Sequence, residues 1–345
     1  MSPKNETATL ALALLVTVGL IGGGSWWFMQ YRAPLPGVET SANLSHGNPI
    51  EQLASFAEVP NVPAGLFNHG GSTTWAPIRR DTNPAIQIVW TKFQLRYTDP
   101  IAGAPGSGSG IRMLLDNQLA FSESSRPLKE AEYQQAEQRG FRLQEIPVAI
   151  DGIALAINPD LNVEGITLAQ LKDIYTGKIT NWNQVGGPDR AITPYSRRPE
   201  EGGTVEFFVN NVLGGETFGS VVTYIPTTTQ ALREVAANPG GLYYASAPEV
   251  VDQCTIRPLP LGRKANEFVP PYQPPRVLPE QCPNRRNHLN ASAFQSGAYP
   301  ITRRLFVIVK QNGQIDQQAG EAYANLLLTN QGQELIAKAG FVRIR

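Results

Sequence analysis

"AIDGIALAINPDLNVEGITLAQLKDIYTG", Ala149 to Gly177, contains a strand followed by a well-marked helix. Residues 149–158 read as a strand. In 167–177, Thr167 and Gln170 stand at capping-box spacing, Leu168, Leu171 and Ile174 share one face, and Gly177 is the expected C-cap. The same alternation extends in both directions. Residues 86–93 ("IQIVWTKF") and 303–310 ("RRLFVIVK") read as strands. Residues 110–118, 131–140, 230–241, 317–328 and 331–339 read as helices. Such alternation predicts an α/β fold with open, mostly parallel sheets.

The chain has 345 residues, enough for one large or two medium domains. Lys plus Arg and Asp plus Glu balance at 29 each, which leaves no global field to steer nucleic acid. Residues 8–29 carry no charge and span roughly 33 Å as a helix, about one bilayer core. Trp26, Trp27 and Tyr31 stand at its far end. A cleaved signal peptide is the rival reading, but no clear A-x-A site follows and no cysteine offers a lipid attachment point. An uncleaved anchor is therefore expected, with residues 1–7 cytoplasmic, 8–29 transmembrane, 30–61 a proline-broken linker, and the remainder extracytoplasmic.

Cys254 and Cys282 fit no zinc or redox spacing. In an oxidising compartment they would pair across a proline-rich segment, worth about 3–4 kcal/mol by loop closure; two unpaired thiols are the alternative. His46, His69 and His288 are the only histidines. His69 abuts a glycine turn and reads as a solvated loop residue. Nothing predicts a catalytic residue, a metal site or a cofactor.

Four turns place small polar residues before a helix or after a strand: Gly70–Thr74, Gly106–Gly110, Ser124–Ser125, and Gly202–Gly203–Thr204 after Arg197 and Arg198. Backbone N–H groups and hydroxyls at helix starts can surround a tetrahedral oxyanion without a lysine cluster. No turn has the GK[ST] of a nucleotide-binding loop, and no G-x-S-x-G elbow occurs.

From about Val62 to Arg345 the chain resembles the phosphate-binding proteins of phosphate ABC transporters, the PstS family. The resemblance rests on "GGSTTWAP", "GSGSGI", "SSRPL", "VAIDGIALAINP", "LKDIYTGKITNW", "SRRPEEGGT", "GGLYYAS", "YPITRRLFVIV" and "LLLTNQGQELIAKAGFVRI", in that order. It implies a two-lobed Venus-flytrap fold, the type II periplasmic-binding-protein architecture. Lobe 1 is then 62–148 plus 303–345 and lobe 2 is 149–302. The ligand set carried over is Ser72, Thr73, Ser107 or Ser109, Ser125, Gly202, Gly203 and Thr204, with Arg198 as the anion-binding arginine. Inorganic phosphate, an ABC permease and the membrane are the implied partners of a monomeric binder. An oxyanion sensor acting through a partner is the alternative, and a phosphoester hydrolase a more distant one. Two departures bear on selectivity. Gly202 stands where the family usually has serine, and Ser125 where many members have aspartate, which accepts the proton of hydrogen phosphate but repels sulfate.

Overall fold

The computed structural model describes residues 53–199 and 202–344. Residues 52–345 cluster as one compact unit. The segment 8–29 read as an anchor lies outside the described residues; among those described, no helix is long and apolar enough to cross a membrane.

The first elements are β1 (Gly65–Gly71), α1 (Ala76–Val89), β2 (Phe93–Tyr97), α2 (Ser107–Leu115), β3 (Phe121–Ser124), α3 (Glu130–Gln138) and the long β4 (Arg142–Ile157). The middle of the chain adds β5 (Ile166–Thr167), α4 (Leu168–Tyr175), β6 (Thr193–Ser196), α5 (Gly203–Asn211), β7 (Thr223–Tyr224), α6 (Thr228–Ala237), β8 (Gly241–Ser246) and α7 (Ala247–Val250). After β9 (Arg257–Leu259), β10 (Leu261–Gly262), β11 (Phe268–Val269) and α8 (Ala291–Gln295) come β12 (Thr302–Gln311), α9 (Ile315–Leu328), α10 (Asn330–Lys338) and β13 (Val342–Arg343).

The main sheet runs β2-β1-β3-β12-β4-β8-β6-β7, with β9 and β13 also on β4. Its two ends are parallel, as expected of strand–helix alternation. Its centre is not: β12 is antiparallel to β3 and β4, and β4 is antiparallel to β8. The mostly parallel expectation is corrected there, because β4 and β12 serve both halves of the molecule. Residues 142–152 of β4 pair with β12, while Ile153–Ile157 pair with β8.

Hydrophobic burial divides around those strands into a two-lobed α/β structure. One core gathers Phe67, Trp75, Phe121, Val307 and Tyr323, with a smaller cluster around Ile111, Leu114 and Ile308. The other gathers Leu155, Ile174, Trp182, Phe208 and Tyr244. The cap of α4 forms as its sequence predicts: Gln170 N donates to Thr167 Oγ1 at 3.2 Å and Thr167 N to Gln170 Oε1 at 2.8 Å.

Residues 86–93 are not a strand. α1 continues to Val89, and a strand begins only at Phe93. Ile78, Thr82 and Ile86 form a buried stripe at helical spacing, while Ile88 is 79% exposed. Packing of that stripe overrides the β preference of the β-branched residues. In the second lobe Cys254 and Cys282 are joined by a disulfide, with Cα atoms 5.8 Å apart.

Candidate functional site

The parallel pairing of β1 with β3 brings the turns after both strands to one edge. Ser72 follows β1, Ser125 follows β3, and Ser107 opens α2 between them. Their hydroxyls form a chain: Ser72 Oγ donates to Ser125 Oγ at 3.0 Å, and Ser107 Oγ lies 3.2 Å from Ser125 Oγ. Ser125 N also donates to Ser107 Oγ at 3.0 Å. All three residues are buried.

The opening turn of α5 faces this chain from the other lobe. A Cβ placed on Gly203 would lie 2.8 Å from both the Ser107 and Ser125 hydroxyls, so a side chain there would push both serines aside. Thr204 Oγ1 lies 3.4 Å from Thr74 Oγ1 of the first lobe. Here the start of a nine-residue helix meets the start of another, and the N–H groups of a helix's first turn have no partner within the helix.

Arg303 of β12 joins the two sides. Its Nη2 donates to Thr204 Oγ1 at 2.9 Å and to Thr74 Oγ1 at 3.2 Å, and its Nη1 donates to Gly203 O at 3.3 Å. Its Nε donates to Asp151 Oδ2 at 2.9 Å. Both residues are buried, and Ser246 Oγ donates to the other Asp151 oxygen at 2.6 Å. Burial pushes the Asp151 carboxyl above the ordinary aspartate range, with Arg303 and Ser246 offsetting part of that rise.

The predicted residues are therefore distributed unevenly. Ser72, Ser107, Ser125, Gly203 and Thr204 meet in the cleft. Thr73 lines an adjoining cavity together with Thr74, Thr204 and Arg197. Gly202 is extended backbone at the start of α5, facing the Arg197 guanidinium. Ser109 turns back and donates to Gly106 O at 3.0 Å. Arg198 is exposed, with its guanidinium carbon 5.1 Å from the centre of the Tyr224 ring. The cleft also holds Arg303, which the sequence reading left out of the ligand set, and Thr74, which it named only as part of the first turn. The available signal was a pair of opposite charges, Asp151 and Arg303, each within an apolar strand.

A second polar layer supports the first lobe's turns. Glu123 is fully buried in β3 and pairs with Arg79, which also donates to Ser72 O at 3.2 Å. Ser72 N donates to Glu123 O at 2.8 Å, so the turn is held from both ends. Burial pushes Glu123 up, but Arg79 and His69 outweigh it and hold its carboxyl below the usual glutamate range. His69 is not a solvated loop residue. It is buried in β1, stacked on Phe121 at 5.2 Å, with Nδ1 3.3 Å from Glu123 Oε1.

Charged contacts also cross the cleft. Arg126 forms a bidentate pair with Glu132 and donates from Nε to Glu206 of α5 at 3.1 Å. Lys129 contacts the other Glu206 oxygen. Among the described residues, no group of three His, Cys, Asp or Glu side chains is placed to hold a metal ion.

Comparison with known proteins agrees with this architecture. The family model for the PBP superfamily domain matches residues 60–331. The phosphate-binding protein PstS of Staphylococcus epidermidis is 25% identical over 276 residues, covering 79% of this chain and 77% of its own. PstS of Staphylococcus aureus is 25% identical over 277 residues, covering 79% and 76%. The ABC-type phosphate transport receptor from Vibrio cholerae superposes with a TM-score of 0.62 at 21% identity, covering 80% of this chain and 99% of that one. PstS from Borrelia burgdorferi gives 0.53 at 20%, covering 81% and 99%. With a family match across most of its length and the two-lobed fold to accompany it, this chain belongs to the PBP superfamily.

Proposed function

We propose that this protein binds inorganic phosphate outside the cytoplasm and presents it to an ABC permease, acting as a monomeric binder and not as a hydrolase. The observation that carries this reading is the meeting of Arg303 with hydroxyls from both lobes: Thr74 on one side and Thr204 on the other. A tetrahedral oxyanion needs several convergent donors and one compensated positive charge, and each charge-assisted bond is worth roughly 1.5–3 kcal/mol. Ser72, Thr73, Ser107, Ser125, Thr204 and the amides of Gly202 and Gly203 supply the donors. The charge is assigned to the buried Arg303 rather than to the exposed Arg198, because a guanidinium out of water acts through a lower dielectric.

The relatives' names support phosphate as the ligand. Lobes of 62–148 plus 303–345 and 149–302 would close over the anion, and the closed form is the one a permease would recognise. The segment 8–29, outside the described residues, would tether the protein to the membrane. Calorimetric titration with phosphate, sulfate and molybdate tests the reading. Saturable phosphate binding that Arg303→Ala abolishes is expected; no heat with phosphate would overturn it.

A further inference from the structure

The cleft does not end at the serine chain. It continues into a cavity of about 280 Å³ whose near side is Thr73, Thr74 and Thr204. Besides Arg197, the remaining wall adds residues of another kind: Thr228 and Thr229 of α6, Tyr243 and Tyr244, and Glu249 of α7. Ser72, Ser107 and Ser125 are not part of this wall.

Three observations set the cavity apart from a seat for a bare anion. Its volume of about 280 Å³ equals roughly nine waters at ~30 Å³ each, and it approaches the roughly 300 Å³ at which pockets for small organic ligands begin. A carboxylate on the wall accepts hydrogen bonds from several hydroxyls at once, as a polyol offers, where hydrogen phosphate has a single O–H to give. Burial, reinforced by Asp151, also raises the pKa of Glu249 above the usual glutamate value, which lowers its repulsion of a nearby phosphoryl group. Finally, the wall is rich in hydroxyl residues, with Thr227, Thr228, Thr229 and Tyr243 among its lining and Tyr243 Oη 3.4 Å from Thr228 Oγ1. A polyol presents several hydroxyls to such a wall.

We propose that the cleft accepts, besides inorganic phosphate, a phosphate monoester of a small polyol. Its phosphoryl group sits on Ser72, Thr74, Thr204 and Arg303, and its hydroxylated substituent fills the cavity against Thr228, Tyr243 and Glu249. The inference rests on the reading of the cleft as a phosphate site.

The test is parallel calorimetry on the full-length protein with inorganic phosphate and with glycerol 3-phosphate. The ester is expected to bind at least as tightly as phosphate. Thr228→Val and Glu249→Gln are each expected to weaken the ester about ten-fold, while phosphate changes less than about two-fold. Phosphate binding with no ester binding overturns this inference and leaves the phosphate reading standing. Equal losses for both ligands in both variants, at unchanged melting temperature, overturn it as well. Binding of neither ligand overturns the phosphate reading and this inference with it. The wild-type comparison needs no variant to fold.

Discussion

Glu206, in the first turn of a second-lobe helix, accepts a hydrogen bond of 3.1 Å from Nε of Arg126 in the first lobe. The pair spans the cleft and forms only while the lobes are together. Burial works against the Glu206 carboxylate, but Lys129 and Arg126 outweigh it and keep its pKa below the usual glutamate value. Glu206→Gln is therefore expected to weaken ligand binding by about 1–2 kcal/mol, between the values for exposed and buried pairs. The loss should shrink in high salt, because Lys129 is largely exposed and its share is screened. Titration calorimetry at two ionic strengths measures both effects; an affinity unchanged at either would dismiss the cross-cleft role.

Arg303 and Asp151 should behave as a unit. Arg303→Met leaves a buried carboxyl without its partner and is expected to cost about 3–5 kcal/mol of folding stability. Adding Asp151→Asn should recover part of that stability but none of the phosphate affinity. Arg198→Ala should alter either quantity by less than about 0.5 kcal/mol, as for a surface position. Urea denaturation with parallel titrations separates the cases. A large loss of affinity in Arg198→Ala would return the anion to that side chain.

The two glycines opening α5 predict opposite outcomes. At Gly203 a methyl group would sit 2.8 Å from two serine hydroxyls, so Gly203→Ala should hold the lobes apart and cost about 1–3 kcal/mol of affinity, the range for overpacking. At Gly202 the nearest atom to an added Cβ is Arg197 Nη1 at 3.4 Å, an ordinary contact. Gly202→Ser should then add one donor and strengthen phosphate binding by about 1 kcal/mol. Small-angle scattering with and without phosphate would report closure in each variant.

Glu123 predicts how stability responds to acid. Its pKa is lowered on folding, so the folded state holds its proton less tightly than the unfolded chain. The resulting stability is complete above the unfolded value near 4.5 and is lost as pH falls through the lowered folded value. Glu123→Gln should flatten that acid limb in denaturation curves between neutral pH and about pH 3. An acid limb of unchanged slope would count against the pairing with Arg79.

Removing the disulfide should act mainly on the unfolded chain. Cys254 and Cys282 are 28 residues apart, and Cys254→Ser with Cys282→Ser should cost about 3–4 kcal/mol with ligand affinity preserved. Thermal unfolding of the double variant, followed by titration, checks both parts.

What could be read in advance followed the range of the interactions. The cap of α4 was legible because Thr167 and Gln170 are three residues apart and complete each other's bonds. The polar turns at Ser72, Ser107, Ser125 and Thr204 stood out only by their joint occurrence and the family resemblance, since glycine and small hydroxyl residues also make ordinary turns and caps. The strand expected at 86–93 failed because local preference could not reveal that Ile78, Thr82 and Ile86 share a buried stripe. The choice of arginine was underdetermined for the same reason. Asp151 and Arg303 are 152 positions apart, and only the antiparallel register of β4 and β12 makes them neighbours. The Thr228 and Glu249 wall carried no local signal, since neither residue departs from what its helix would tolerate at a surface.

The two long strands at the centre of the sheet bear on how the molecule moves. Both carry unbroken backbone between the halves, side by side, with one register shift between Leu305 and Phe306. Two paired ribbons leave the halves a single line about which to turn. Closure over a ligand would then bring Thr204 back to Arg303 along one path, without a separate part to guide it.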